Sequence, residues 1–223
     1  MWRDALLVAG KDLRVELRSR VTTNQVAPYS VLVLLLFGFA FDQNRPLLLS
    51  AAPGLFWIAV LLSALLAVQR SFALESGDGA RDGLRMSGLD AGGIFLGKAA
   101  AVAAQLAGLE VLLGLGIVVL FGTDLRDVFV LVGTAAVATV GLAAAGTVYG
   151  VMAAGLRVRE TLLPLLILPV VAPVLLAATE AWRSALGLSS GDRPGRWLVL
   201  LASFAAIYLT LGVLAFGTLL EEA

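Results

Sequence analysis

Apolar residues fall in six long blocks, at 26–41, 47–68, 99–121, 128–154, 162–178 and 197–220, and Glu110 is the single charged residue inside any of them. Blocks of this length predict membrane-spanning helices. About 20 apolar residues, each rising about 1.5 Å, cross a hydrocarbon core of about 30 Å. The first block holds 16 residues and reaches only about 24 Å, so it must borrow length from its flanks or sit in a thinned bilayer. Pro53-Gly54 interrupts the second block. The polar connections are 42–46, 70–98, 122–127, 155–161 and 179–196, and the last is expected to open with a short separate helix at 179–186. The pattern shows no internal repeat and no second domain. It predicts an all-α membrane protein with one transmembrane domain over 1–223, made of a six-span bundle over 26–220 and an N-terminal flank.

That flank, residues 1–25, has its own pattern. Leu6, Leu13, Leu17 and Val21 follow helical spacing, while Lys11, Arg14 and Arg18 share another face. This predicts an interfacial amphipathic helix, held by lipid phosphates or touching a partner, with Glu16 and Arg20 as an i, i+4 pair. No short apolar core with a cleavage site appears in it, so no signal peptide is expected.

The 70–98 connection is longer than a simple link requires. It carries eight charges in 29 residues, and Phe72, Leu84, Met86 and Leu89 interrupt the polar sequence. Apolar anchors among charges suit a short helix lying on the membrane surface or docked to a soluble partner; the plain alternative is an ordinary loop.

Composition agrees with the class: 60% of residues are apolar and 14% charged, against about 25% charged in a soluble domain. Net charge is zero, which gives no basic footprint for nucleic acid. The absence of Cys and His excludes disulfides, thiol chemistry, Cys/His zinc sites and His-ligated haem within the chain. Lys and Arg orient the bundle. Eleven lie on the side of the termini, the 70–98 segment and the 155–161 turn, and five on the other, which predicts cytoplasmic termini. Trp182 and Trp197 then fall at the outer interface, where aromatic belts sit.

Four features invite a chemical reading. Gly92 to Ala99, GGIFLGKA, nearly matches the phosphate-binding pattern G-x4-G-K-[ST], but Ala99 has no hydroxyl for magnesium and no strand precedes the glycine. The chain is therefore expected to have no ATP site of its own, and Lys98 to snorkel to the interface at the start of span 3. Glu110 lies mid-span at a cost of at least about 2.5–3.5 kcal/mol, so it faces protein or water. It either lines a substrate path or makes an interhelical bond, to Tyr149, Tyr208, Gln105 or a threonine. Gly146 and Gly150, extended by Ala135, Thr139 and Ala143, form a small-residue face that serves a dimer seam or internal packing. Pro164, Pro169 and Pro173 kink span 5, either lining a cavity or only shaping the bundle. A lone Glu110 without His, Cys or a paired carboxylate makes an intramembrane enzyme a weak reading, and no metal or catalytic residue is assigned.

Three stretches carry a family likeness: KDLRVELRSR at 11–20, RSFALE…DG…L…S…D…IFLGK at 70–98, and LRVRETLLPLLILPVVAPVLLAATEA at 156–181. In these the chain resembles the haem-exporter permease B subunit of cytochrome c maturation, the CcmB family, within the ABC-2-type exporter permeases. Ser76-Gly77 stand where the family pattern has basic residues, and Gly88 where it has a proline. The resemblance implies a permease of the bacterial cytoplasmic membrane that binds no cofactor itself. It implies a homodimer working with two copies of a cytoplasmic ATPase that holds ATP-Mg. The further partners are a haem-handling membrane protein and a periplasmic haem chaperone, with haem as the possible substrate. The 70–98 segment then becomes the ATPase docking element, with Leu84, Met86 and Leu89 as anchors and Glu75, Asp78, Arg81 and Arg85 at the rim. Export of another lipid-like or polysaccharide substrate, and a non-transporting scaffold for haem-chaperone release, are the alternatives.

Overall fold

The computed structural model describes residues 1–20, 22–41, 44–73, 88–154, 159–188 and 194–222. Helix α1 is Trp2–Ser19, α2 Ala27–Phe41, α3 Arg45–Ala73, α4 Ala91–Gly116, α5 Val128–Ala154, α6 Arg159–Ala185 and α7 Pro194–Glu222. A π-helical turn, Thr22–Val26, leads into α2, and another, Ile117–Phe121, ends α4. No strand occurs among the described residues. Six of the helices are long and apolar enough to cross a membrane.

The expected short first span gains its length from the N-terminal flank, giving an apolar helical stretch Asn24–Phe41. Two expected interruptions do not occur. Helix α3 runs unbroken through Pro53-Gly54, and α6 continues through Thr179 to Ala185 instead of starting a separate short helix at 179. Neighbouring helices compensate the backbone groups a proline frees, so apolar context overrides its local preference.

Helix α3 is the centre of the bundle, packed against α2, α4, α5 and α6. Helix α7 covers α4, α5 and α6 from outside. Two apolar layers fill the interior. One, with Leu34, Trp57, Phe121, Trp182 and Leu201, lies at the end where α2 is followed by α3 and α4 by α5. The other, with Val8, Phe72, Ile94, Phe95, Val148 and Phe216, lies at the end that carries α1. Tyr149 and Tyr208 pack against both layers, with ring centroids 6.3 Å apart.

Trp182 corrects its expected place in an outer belt. Its ring is buried and stacks on Phe56 at 4.1 Å, and its indole N–H donates to the Leu131 carbonyl at 3.2 Å. An aromatic ring fills a core gap wherever its polar handle finds a backbone acceptor.

Candidate functional site

The site is built at the end of the bundle where α1 docks. Asp90 caps α4, its carboxylate accepting from the Gly93 N–H at 2.7 Å. The glycine-rich GGIFLGKA stretch is therefore helix, and two of its glycines, Gly93 and Gly97, face α1. A Cβ at Gly93 would stand 2.8 Å from the Met1 carbonyl oxygen, and one at Gly97 would stand 2.6 Å from that of Ala5. These glycines serve helix contact, the membrane-protein use of small residues. Asp4 completes the junction by accepting from the Asp90 N–H at 3.3 Å, and that bond, with help from the N-terminal ammonium, holds its carboxyl below the usual range.

Helix α1 meets the bundle by a face that the leucine pattern did not single out. Ala5, Val8 and Glu16 are buried, while Leu6 and Leu17 are exposed. Lys98 does not snorkel; it is 1% exposed. Its ammonium lies 3.5 Å from Asp12 Oδ2, donates to Ser71 Oγ at 3.5 Å, and sits 4.9 Å above the Phe72 ring. Glu16 pairs with Arg70 of α3 at 3.6 Å, not with Arg20, which leaves the helix in a left-handed cap. An ammonium buried this deeply needs a counter-charge and further donors' partners, and α1 supplies the charge. Asp12, Glu16, Ala67, Arg70, Ser71 and Gln105 line a small polar cleft between α1, α3 and α4.

Next to this junction the end of α3 lies on the small-residue face of α5. A Cβ at Gly146 would meet Val68 Cγ2 at 2.7 Å, and one at Gly150 would run into the Phe72 ring. In this chain, then, Gly146 and Gly150 admit α3. Phe72 is shared: Lys98 sits over its ring, and its Cδ2–Cε2 edge covers Gly150.

Glu110 is buried on α4, and the Thr139 hydroxyl of α5 donates to its carboxylate. Of the partners open from sequence, the threonine is the one the fold brings to it. Pro169 and Pro173 lie on an exposed face of α6 and Pro164 is half-buried; α6 passes all three without a break.

Of the segment expected to dock an ATPase, Glu75, Asp78, Arg81, Leu84, Arg85 and Met86 lie outside the described residues. Leu89 is half-buried and packs against the layer at the α1 end. Gly88 has φ +67°. Proline is locked near −65°, so a proline at this position would require a different backbone.

Sequence reasoning missed the Lys98–Asp12 and Arg70–Glu16 pairs. The readable signal was the spacing of Asp12 and Glu16, two acids one turn apart in the basic half of the helix, among Lys11, Arg14 and Arg18.

A family described as CcmB protein has a model that matches residues 3–222. The chain is 29% identical over 206 residues to heme exporter protein B of Pseudomonas aeruginosa, covering 92% of this chain and 91% of that protein. It is 31% identical over 220 residues to heme exporter protein B of Paracoccus denitrificans, covering 95% and 94%. A third relative, heme exporter protein B of Haemophilus influenzae, is 29% identical over 181 residues, 81% of each chain.

Proposed function

The chain belongs to the CcmB protein family, and from that premise we propose that it is the membrane permease subunit of an ABC-type haem exporter serving cytochrome c maturation. The observation that carries this reading is the likeness to heme exporter protein B along more than nine-tenths of both chains. It is an integral protein of the bacterial inner membrane, with both termini in the cytoplasm, the side that the eleven Lys and Arg favour.

In this reading the permease hydrolyses no nucleotide. Two copies pair, and two copies of a separate cytoplasmic ATPase bind ATP-Mg and dock on the 70–98 segment. Haem is the substrate, passed to a haem-handling membrane protein and a periplasmic chaperone. The roots of the segment support such a role. Arg70 and Phe72 end α3, while Lys98 lies two turns into α4. A push on the segment reaches α5 directly, because Val68 and Phe72 rest on Gly146 and Gly150.

The test is complementation. In a bacterium lacking its own heme exporter protein B, this chain, expressed with its companion ATPase, restores covalent haem on c-type cytochromes. Normal membrane accumulation of the chain without any restored cytochrome c refutes the proposal.

A further inference from the structure

We propose that α1 is a clamp that holds both roots of the 70–98 segment at a fixed separation, with Asp12 and Glu16 as positioning residues for coupling. This rests on the permease reading above.

The placement of charge carries the inference. Arg70 lies in the last turn of α3 and Lys98 two turns into α4, on the two helices that the segment joins. Both cations turn to the same helix: Arg70 pairs with Glu16 at 3.6 Å and Lys98 with Asp12 at 3.5 Å. Asp12 and Glu16 are four residues apart, so they stand on one face of α1, a single turn apart. That turn therefore sets the distance between the roots. Two further contacts tie the same three helices. Ser71, next to Arg70, accepts from Lys98 at 3.5 Å, and Gly97, next to Lys98, lets α1 approach to backbone contact. An exposed amphipathic helix lying on lipid would use its carboxylates in water. Here Glu16 is 8% exposed and Lys98 1%.

The clamp makes a mechanical prediction. With α1 docked, the two roots move as one body, and a displacement of the segment is passed to α5 through Phe72. With α1 released, α3 and α4 move separately, and the push is lost between them.

The chain's lack of cysteine supplies a probe. Val8 is 3% exposed in the α1 contact, so Val8→Cys gives a thiol that reacts with a soluble maleimide only when α1 leaves the bundle. The chain is labelled in permeabilised membranes, together with its ATPase, and cytochrome c maturation is scored in the same cells. Glu16→Arg, which opposes Arg70 with a like charge, is expected to raise the labelling rate about tenfold through local opening. Maturation should fall about tenfold at unchanged permease abundance and ATPase retention. The exchange Glu16→Arg with Arg70→Glu is expected to restore both to within about twofold, a rescue that loss of side-chain volume alone would not give. Arg70→Gln, a milder cut of the same pair, guards against failure of Glu16→Arg to accumulate and should shift both readouts in the same direction.

Unchanged labelling in Glu16→Arg and Arg70→Gln, or no rescue by the exchange, overturns the clamp. Labelling that follows the charges while maturation stays normal overturns its role in coupling. Failure of the unsubstituted chain to support maturation while the labelling of its Val8→Cys form still follows the charges counts against the permease reading and leaves the clamp standing.

Discussion

Val68 Cβ on α3 lies 3.8 Å from the point where a Cβ on Gly146 of α5 would stand. That is the mean Cβ separation of a disulfide, about 3.8 Å. Because the chain has no other cysteine, Val68→Cys with Gly146→Cys is expected to cross-link under mild oxidation, read as a mobility shift that reductant reverses. The same pair locks the seam through which a push on α3 would reach α5, so oxidation should also stop cytochrome maturation and reduction should restore it.

Gly150 and Gly133 make a matched pair on α5. A Cβ at Gly150 would collide with the Phe72 ring, whereas one at Gly133 meets nothing within 4 Å. Gly150→Ala should destabilise the chain by about 1–3 kcal/mol through overpacking. Gly133→Ala should be neutral or stabilise by up to about 1 kcal/mol, because alanine is the better helix former. Thermal unfolding in detergent checks both.

Glu110 accepts a bond from Thr139, and a glutamine keeps that acceptor. Glu110→Gln should hold membrane abundance and maturation to within about twofold, while Glu110→Leu, which strands the buried threonine hydroxyl, should cost about 1–3 kcal/mol. A maturation defect in Glu110→Gln at normal abundance would instead put the carboxylate on the substrate path.

The Lys98 pair predicts non-additivity. Lys98→Met alone leaves Asp12 with only the exposed Lys11, 3.0 Å away, and should cost about 1–3 kcal/mol. Adding Asp12→Leu removes the stranded acid and should recover most of that loss. A double-mutant cycle of thermal stability measures the coupling; simple additivity would show that the two side chains do not interact.

Much of this was legible in the sequence because a bilayer imposes a blunt rule. Six apolar blocks became six helices, and the lone Glu110 found a hydroxyl from a neighbouring helix. What the pattern hid follows from how α1 docks. Hydrophobic periodicity pointed to Leu6 and Leu17, which are exposed. The buried contact is made by Ala5, Val8 and two glycines of α4, where close approach replaces apolar area, so periodicity carries little signal. Lys98 was misplaced for the same reason: a cation at a span end snorkels unless another element brings it a counter-charge, and Asp12 is 86 positions away in sequence. Trp182 shows the related case of tertiary packing overriding a residue's usual position.

The central claim, a permease driven by a separate ATPase through the 70–98 segment, is tested most directly by retention of that ATPase on the tagged permease. Leu89 belongs to the bundle's own packing, so the informative substitutions are Leu84→Asp with Met86→Asp. Apolar anchors dominate such interfaces and rim charges contribute little each. The account predicts that the parent chain and Arg81→Ala retain the ATPase, and that the double substitution loses at least about nine-tenths of it at unchanged permease abundance. Full retention by the double-substituted chain would contradict it.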